Sequence, residues 1–172
     1  MKRSVRMLCL FLPLCLLLTA CGGKTQTVTV PDTNGDGRLT CTLEIRCDTI
    51  LDNLSKLTAG KQDLVPADGL LLDTGEIEFE SGDSVFDVLK REITSRKLHF
   101  EYEDGTAYGA VYIEGICNLY EFDCGPQSGW MYSVNSVFPS LGCSSYTLAD
   151  GDQIHFLYTC DLGDDVGGGV QK

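Results

Sequence analysis

Cysteine and histidine are the side chains of this chain best suited to chemistry, and their spacing limits what that chemistry can be. Nine cysteines and two histidines occur in 172 residues. Cys21 stands apart from the rest. It follows the basic residues Lys2, Arg3 and Arg6, an apolar run from Met7 to Leu18, and then Thr19-Ala20. The run is too short for a stable membrane span, and small residues before a cysteine suit a signal peptidase. The pattern predicts a lipoprotein signal peptide over residues 1–20, with Cys21 as the lipidated N-terminus outside the membrane.

Cys9 and Cys15 would leave with the signal, so six cysteines remain after Cys21 is lipidated. An even number outside the cytoplasm reads as disulfides. Zinc is the competing chemistry, but no Cys-x-x-Cys pair is present and neither His99 nor His155 stands at ligand spacing. No metal and no cofactor are expected. In an extended strand six residues span about 20 Å, whereas bridged Cα atoms lie within about 7 Å, so Cys41 cannot pair with Cys47. Cys47 and Cys160 each end an apolar strand face, and they meet if the first and last strands run parallel side by side. Cys124 and Cys143 lie in turns flanking the strand at 129–135 and form the second expected pair. Cys41 and Cys117 remain, as a third pair or as buried thiols.

Catalysis finds little support in the residue pattern. No Gly-x-Ser-x-Gly elbow and no Gly-rich phosphate loop occur. His99 sits in a strand-like run and His155 alternates with core residues, so both read as structural or solvated. Carboxylates are plentiful without forming a defined pair. A non-catalytic protein is expected.

The elements that would position these residues follow from periodicity. Residues 39–47 alternate strictly, with Leu39, Cys41, Leu43, Ile45 and Cys47 on one face of a half-buried strand. A short helix is expected over 50–57, a turn at Pro66-Ala67-Asp68-Gly69, and apolar stretches at 70–72 and 76–80. Then the period changes. Val85, Phe86, Leu89 and Ile93 share one side of a helix that opens with Ser84 and Asp87 in capping-box spacing, and Lys90, Arg91, Arg96 and Lys97 gather toward its end. Short strands follow at 98–103, 110–114, 119–123, 129–135 and 153–159. A helix that needs a sheet face to cover it makes an α+β roll.

Residues 21–38 read as the lipidated cysteine and a polar tether, 39–168 as one domain, and 169–172 as a tail. Asp32, Asn34, Asp36 and Gly37 resemble the first half of a calcium loop, but the twelfth position is Leu43, inside the first strand. Loss of Lys2, Arg3 and Arg6 leaves 10 basic residues against 25 acidic ones, a net charge of −15. Nucleic acid and anionic headgroups are therefore not expected partners, contact with the membrane is through the lipid alone, and a cationic or neutral ligand fits better.

Aromatics crowd between Gly115 and Pro139: Tyr120, Phe122, the single tryptophan Trp130, Tyr132 and Phe138, among the amides Asn118, Gln127 and Asn135. One reading makes them the filling of a small β core. The other makes Trp130, Tyr132, Asn135, Phe138 and Tyr120 a rim on which a flat amphipathic ligand stacks.

Glu114-Gly115 with Asn118-Leu119-Tyr120-Glu121-Phe122, then Gly129-Trp130-Met131-Tyr132-Ser133-Val134-Asn135, Tyr146-Thr147-Leu148, Asp150-Gly151-Asp152 and Tyr158-Thr159 resemble the transcobalamin C-terminal-like domain of Gram-positive surface lipoproteins. The opening of the helix, Ser81 to Leu89, is similar as well, so the resemblance spans roughly residues 40–168. Ser136 departs from it, since relatives commonly carry glycine there. The resemblance implies a β-grasp-like fold, a mixed sheet packed on one main helix with first and last strands adjacent and parallel. In the vertebrate vitamin carriers a related domain covers one face of cobalamin beside a separate helical domain. It therefore implies a surface binding module for a small ligand such as a corrinoid, the alternative being a protein- or glycan-interaction module of a surface assembly.

Overall fold

The computed structural model describes residues 37–105 and 109–169. The expected signal peptide and most of the tether lie outside the described residues. Strand β1 (Leu39–Arg46) is the centre of the larger sheet, because its alternation sends Cys41, Leu43 and Ile45 inward. It pairs antiparallel with β2 (Leu70–Phe79) and parallel with the last strand, β7 (Asp152–Thr159). The register sets Leu43 beside Ile154 and Ile45 beside Phe156. β6 (Gly129–Val134) lies antiparallel on the far side of β7, giving the order β2-β1-β7-β6. First and last strands are thus parallel neighbours, as expected.

Helix α2 (Val85–Ser95) covers the inward face. Val85, Phe86, Val88, Leu89 and Ile93 are buried on it and join Leu43, Ile45, Val134, Ile154 and Phe156 in one cluster. Each such side chain contributes roughly 1.5–3 kcal/mol by leaving water. The helix starts at Ser84 because both halves of a capping box form: the Ser84 hydroxyl accepts from the Asp87 N–H at 3.2 Å, and the Asp87 carboxylate accepts from the Ser84 N–H at 2.9 Å. It stops at Arg96, where Lys97 turns left-handed (φ 57°) and the Leu98 N–H reaches back to Ile93 O. Ser84→Ala is expected to lower unfolding stability by about 1 kcal/mol, read from the urea midpoint at unchanged slope.

Two of the cations expected to face the helix dipole act sideways instead. Arg91 bonds to Asp83 at 2.9 Å and Lys90 to the Tyr102 hydroxyl at 2.8 Å. Burial pushes the Asp83 carboxyl up, but the Arg91 hydrogen bond, the Glu80 N–H and the Arg91 charge together hold the group below its usual range. Arg46 holds Asp48 low in the same way, through hydrogen bonds from its guanidinium. Carboxyls with depressed folded pKa values contribute stability that is present at neutral pH and lost as pH falls through those values. The urea midpoint is therefore expected to stay flat from pH 7 to about pH 4 and to fall below it.

The remaining strands, β3 (Phe100–Glu103), β4 (Tyr112–Ile116) and β5 (Leu119–Tyr120), form a separate antiparallel sheet in the order β3-β4-β5. Cys117 and Asn118 join β4 to β5 with φ of 52° and 63°, the left-handed pair of a tight hairpin. Gly115 is required beside that hairpin, since a Cβ there would come 2.9 Å from the Tyr120 ring.

Three expectations need correction. The helix over 50–57 is only one turn, α1 (Asp48–Leu51), followed by a 3₁₀ turn at Leu54–Lys56. Asn53 Nδ2 donates to Thr49 O at 2.9 Å, the local side-chain bond that competes with helix propagation. The strand over 119–123 ends at Tyr120, because Phe122 turns left-handed (φ 66°) and the Asp123 carboxylate accepts from the Tyr120 N–H at 2.7 Å. The two stretches around 73–75 are one strand, for β2 absorbs Asp73-Thr74-Gly75 as a register slip in which the Leu43 N–H bonds to Thr74 Oγ1 at 3.0 Å.

Candidate functional site

A second buried cluster fills the end of the larger sheet: Cys47, Ile50, Leu57, Leu119, Cys124, Tyr158 and Cys160. Tyr158 anchors it, its hydroxyl donating to Tyr120 O at 2.7 Å and lying 3.0 Å from Ser128 Oγ. Over this cluster two chain segments meet, joined where the Leu162 N–H donates to Gln127 O at 2.9 Å. One is the turn from Phe122 to Ser128 that links β5 to β6; the other is the chain just after β7. Between them lies a groove of about 340 Å³, within the size range of small-ligand sites.

Trp130 forms part of its floor, with its indole held edge-on to Tyr158 at 5.2 Å and its Nε1–H donating to Leu119 O at 2.9 Å. Phe122 and Leu162 stand on the two rims, 60% and 65% exposed. Both have left-handed backbone, φ 66° and 49°, a costly conformation for bulky residues. Tyr112 and Glu121 close one side, joined hydroxyl to carboxylate. Burial, and then that hydrogen bond, push the Tyr112 hydroxyl up to about 12. Glu121 is the acid that lines the groove, and Asp161, Asp164 and Asp165 flank Leu162 in the chain after β7. A second hollow of about 500 Å³, lined by Val111, Pro139 and Leu141 among others, shares Tyr112.

Of the five residues expected to bind a ligand, only Trp130 lines the groove. Tyr132 donates to Leu141 O at 2.6 Å and stacks on Phe156, so it belongs to the main core. Asn135 bridges Asp152 at 2.8 Å and the Gln153 N–H at 3.0 Å, which fixes the β6–β7 connection. Phe138 packs on the backbone at Gly168, where a Cβ would sit 2.6 Å from its ring. Tyr120 bonds to His99 Nε2 at 2.8 Å, under the Lys61 ammonium. The aromatics of the motif are therefore mostly spent on the fold. Phe122 and Leu162 are the residues missed. Leu162 had a signal, as a lone large apolar residue in the acidic, glycine-rich stretch Asp161 to Asp165. Phe122 stood in the aromatic motif, but nothing there singled it out, since its exposure comes from the left-handed turn.

The cysteines divide between the two clusters, and all six described stand as thiols. Cys124 and Cys143 are not brought together. Cys143 is held at the start of α2, where its carbonyl accepts from the Phe86 N–H at 3.1 Å, while Cys124 lies in the second cluster. Cys47 shares that cluster with Cys160, but the β1–β7 register, Arg46 beside Leu157, leaves Cys47 level with Tyr158 and short of Cys160. Cys41 lies in the main core and Cys117 packs at its edge. Burial pushes the thiols of Cys41 and Cys47 up to about 12 and that of Cys143 to about 11, which leaves little thiolate at neutral pH. Cys21 lies outside the described residues. His155 faces Glu44 at 3.6 Å, and His99 bonds the Tyr120 hydroxyl at 2.8 Å while its carbonyl accepts from the Cys117 N–H at 2.9 Å. Among the described residues no group of three or more His, Cys, Asp or Glu could hold a metal ion, and no helix is long and apolar enough to cross a membrane.

The fold defines a class, that of small mixed-sheet α+β domains with the first and last strands parallel neighbours under one main helix. Residues 82–159 match a family described as a domain of unknown function, DUF4430. Among solved structures the chain is similar to haptocorrin in complex with Cbi, at 13% identity and a TM-score of 0.52, over 76% of this chain and 27% of that one. It thus spans little more than a quarter of the haptocorrin chain. A protein from Ruminococcus gnavus ATCC 29149, described as a candidate metal-binding protein, is similar at 16% identity and a TM-score of 0.43, over 70% of this chain and 96% of that one. No curated protein matches.

Proposed function

We propose that this chain is a non-catalytic binding module, held at the outer face of the cell membrane by the lipidated Cys21, whose ligand seat is the groove between Phe122 and Leu162. The observation that carries the reading is the pair of exposed, backbone-strained apolar side chains, Phe122 and Leu162, that line the same hollow as Trp130. Strain of this kind persists where the surroundings hold it and concentrates at ligand clamps. A corrinoid is the ligand we favour: it offers a flat apolar face for Phe122 and Leu162 and amide edges for Gln127 and Tyr112, and the similar fold of haptocorrin has been seen with Cbi. The acidic margin suits a neutral or cationic ligand.

Trp130 is the single tryptophan, so its fluorescence reports directly on the groove. Titration of the purified protein with cobalamin and cobinamide is expected to quench it beyond the inner-filter effect at concentrations of about tens of micromolar, a modest affinity for a single small groove. Phe122→Ser and Leu162→Ser are each expected to weaken binding about tenfold, close to 1.4 kcal/mol, without moving the urea midpoint. Unquenched fluorescence with both ligands would remove the corrinoid. A second reading, a protein- or glycan-interaction module, is favoured by β6, the outermost strand of its sheet beside the same groove. Such an edge can accept an added strand. Capture of a surface partner that persists unchanged in Phe122→Ser and Leu162→Ser would favour it.

A further inference from the structure

Two sulfurs rest on one short turn of the second cluster. Cys160 Sγ lies 3.6 Å from Thr49 Oγ1, and Cys124 Sγ lies 3.5 Å from Asn53 O. Those two contact points are one helical turn apart, tied by Asn53 Nδ2 donating to Thr49 O. The strand register brings the cysteines there independently. Gly129 pairs with Thr159, so Ser128 and Cys160 come level, and Ser128 Oγ accepts from the Cys124 N–H at 3.0 Å. Cys124 and Cys160 are 1% and 7% exposed, and after burial it is the neighbouring Cys160 thiol that pushes the Cys124 thiol up, to about 12. Asp165 caps the Cys160 N–H at 2.7 Å, fixing the strand end that carries the sulfur.

We propose that Cys124 and Cys160 are joined by a disulfide that clamps the Phe122–Ser128 turn, one wall of the groove, to the chain after β7, which forms the other. The electrons go to the disulfide of a thiol oxidant such as oxidised glutathione. Cys160, the more exposed, attacks that bond as thiolate and forms a mixed disulfide, releasing one oxidant thiol with a proton. Cys124 thiolate then attacks the Cys160 sulfur, forming the intramolecular bond and releasing the second oxidant thiol. Two protein thiols are oxidised and one oxidant disulfide is reduced. Cys143, in the other cluster, has no part in it. The bond concerns the walls and not the ligand, so it stands or falls apart from the corrinoid reading.

The test uses the full chain treated with oxidised glutathione, alkylated in the native state and again after unfolding, and digested with pepsin at low pH to prevent exchange. No Lys or Arg lies between Lys97 and Lys172, so trypsin cannot separate the cysteines, whereas pepsin cuts at the aromatic and leucine residues between Cys124 and Cys143. The expected product is one linked peptide pair containing Cys124 and Cys160, abolished by reduction. Cys160 linked to Cys47, Cys124 linked to Cys143, or both thiols alkylated would overturn the proposal. A second measurement addresses the clamp: on reduction, native-state proteolysis within 122–128 and 161–169 should rise about tenfold relative to other sites, since local opening controls cleavage. An equal rise everywhere would show that the bond does not clamp the groove.

Discussion

Phe156→Ala is expected to destabilise the protein by about 3–5 kcal/mol, the upper range for a buried aromatic truncated to alanine. Phe156 is 1% exposed at the middle of β7, with Ile45 of β1 on one side and Tyr132 of β6 on the other. Its ring stacks on Tyr132 at 5.8 Å, and α2 lies over the same cluster. The space left behind cannot collapse easily, because its walls are backbones fixed in ladders on both sides, and residual cavity volume governs the cost. Small domains have only about 5–15 kcal/mol in hand, so the variant should remain folded with a much lower urea midpoint and an unchanged slope. A loss under about 2 kcal/mol would mean that the helix closes onto the sheet and that α2 is not held as the capping box and cluster imply.

Reduction should have an effect of similar size. Oxidised protein is expected to lose about 4 kcal/mol of unfolding stability when the Cys124–Cys160 bond is reduced, the chain-entropy estimate for a closed loop of roughly 35 residues. Cys160→Ala should show the lower stability in both redox states, and Cys143→Ala should keep the redox dependence of the parent while losing only its packing. The comparison is made from urea midpoints with and without reductant. Equal midpoints for oxidised and reduced parent protein would contradict the bond as a contributor to stability.

Much of the architecture was legible along the chain because periodicity is a local property. The alternation from Leu39 to Cys47, the helix from Ser84 with its Asp87 partner, and the inward set Ile154, Phe156 and Tyr158 all follow from which side chains avoid water. The parallel pairing of β1 and β7 followed from the family resemblance, and the structure has it. Elements ruled by single side-chain bonds were not legible. Asn53 shortens α1, Asp123 ends β5, and Thr74 carries β2 through what reads as a turn. Such bonds depend on where a neighbouring chain segment arrives, which no local window contains.

The same division applies to the groove. That Trp130, Tyr132 and Tyr120 sit in one aromatic motif is written in the sequence; that only Trp130 reaches the groove is decided by the carbonyl of Leu141, the ring of His99 and the face of Phe156, which claim the others. The sequence by itself determined the strand faces, the one long helix, the acidic charge and the number of cysteines available to pair. Tertiary structure alone decided which cysteines face each other and which apolar residues are left in water. Burial pattern is set by each residue's own chemistry, but sulfur-to-sulfur approach and the exposure of Phe122 and Leu162 are set by strand register and by backbone held left-handed against its preference.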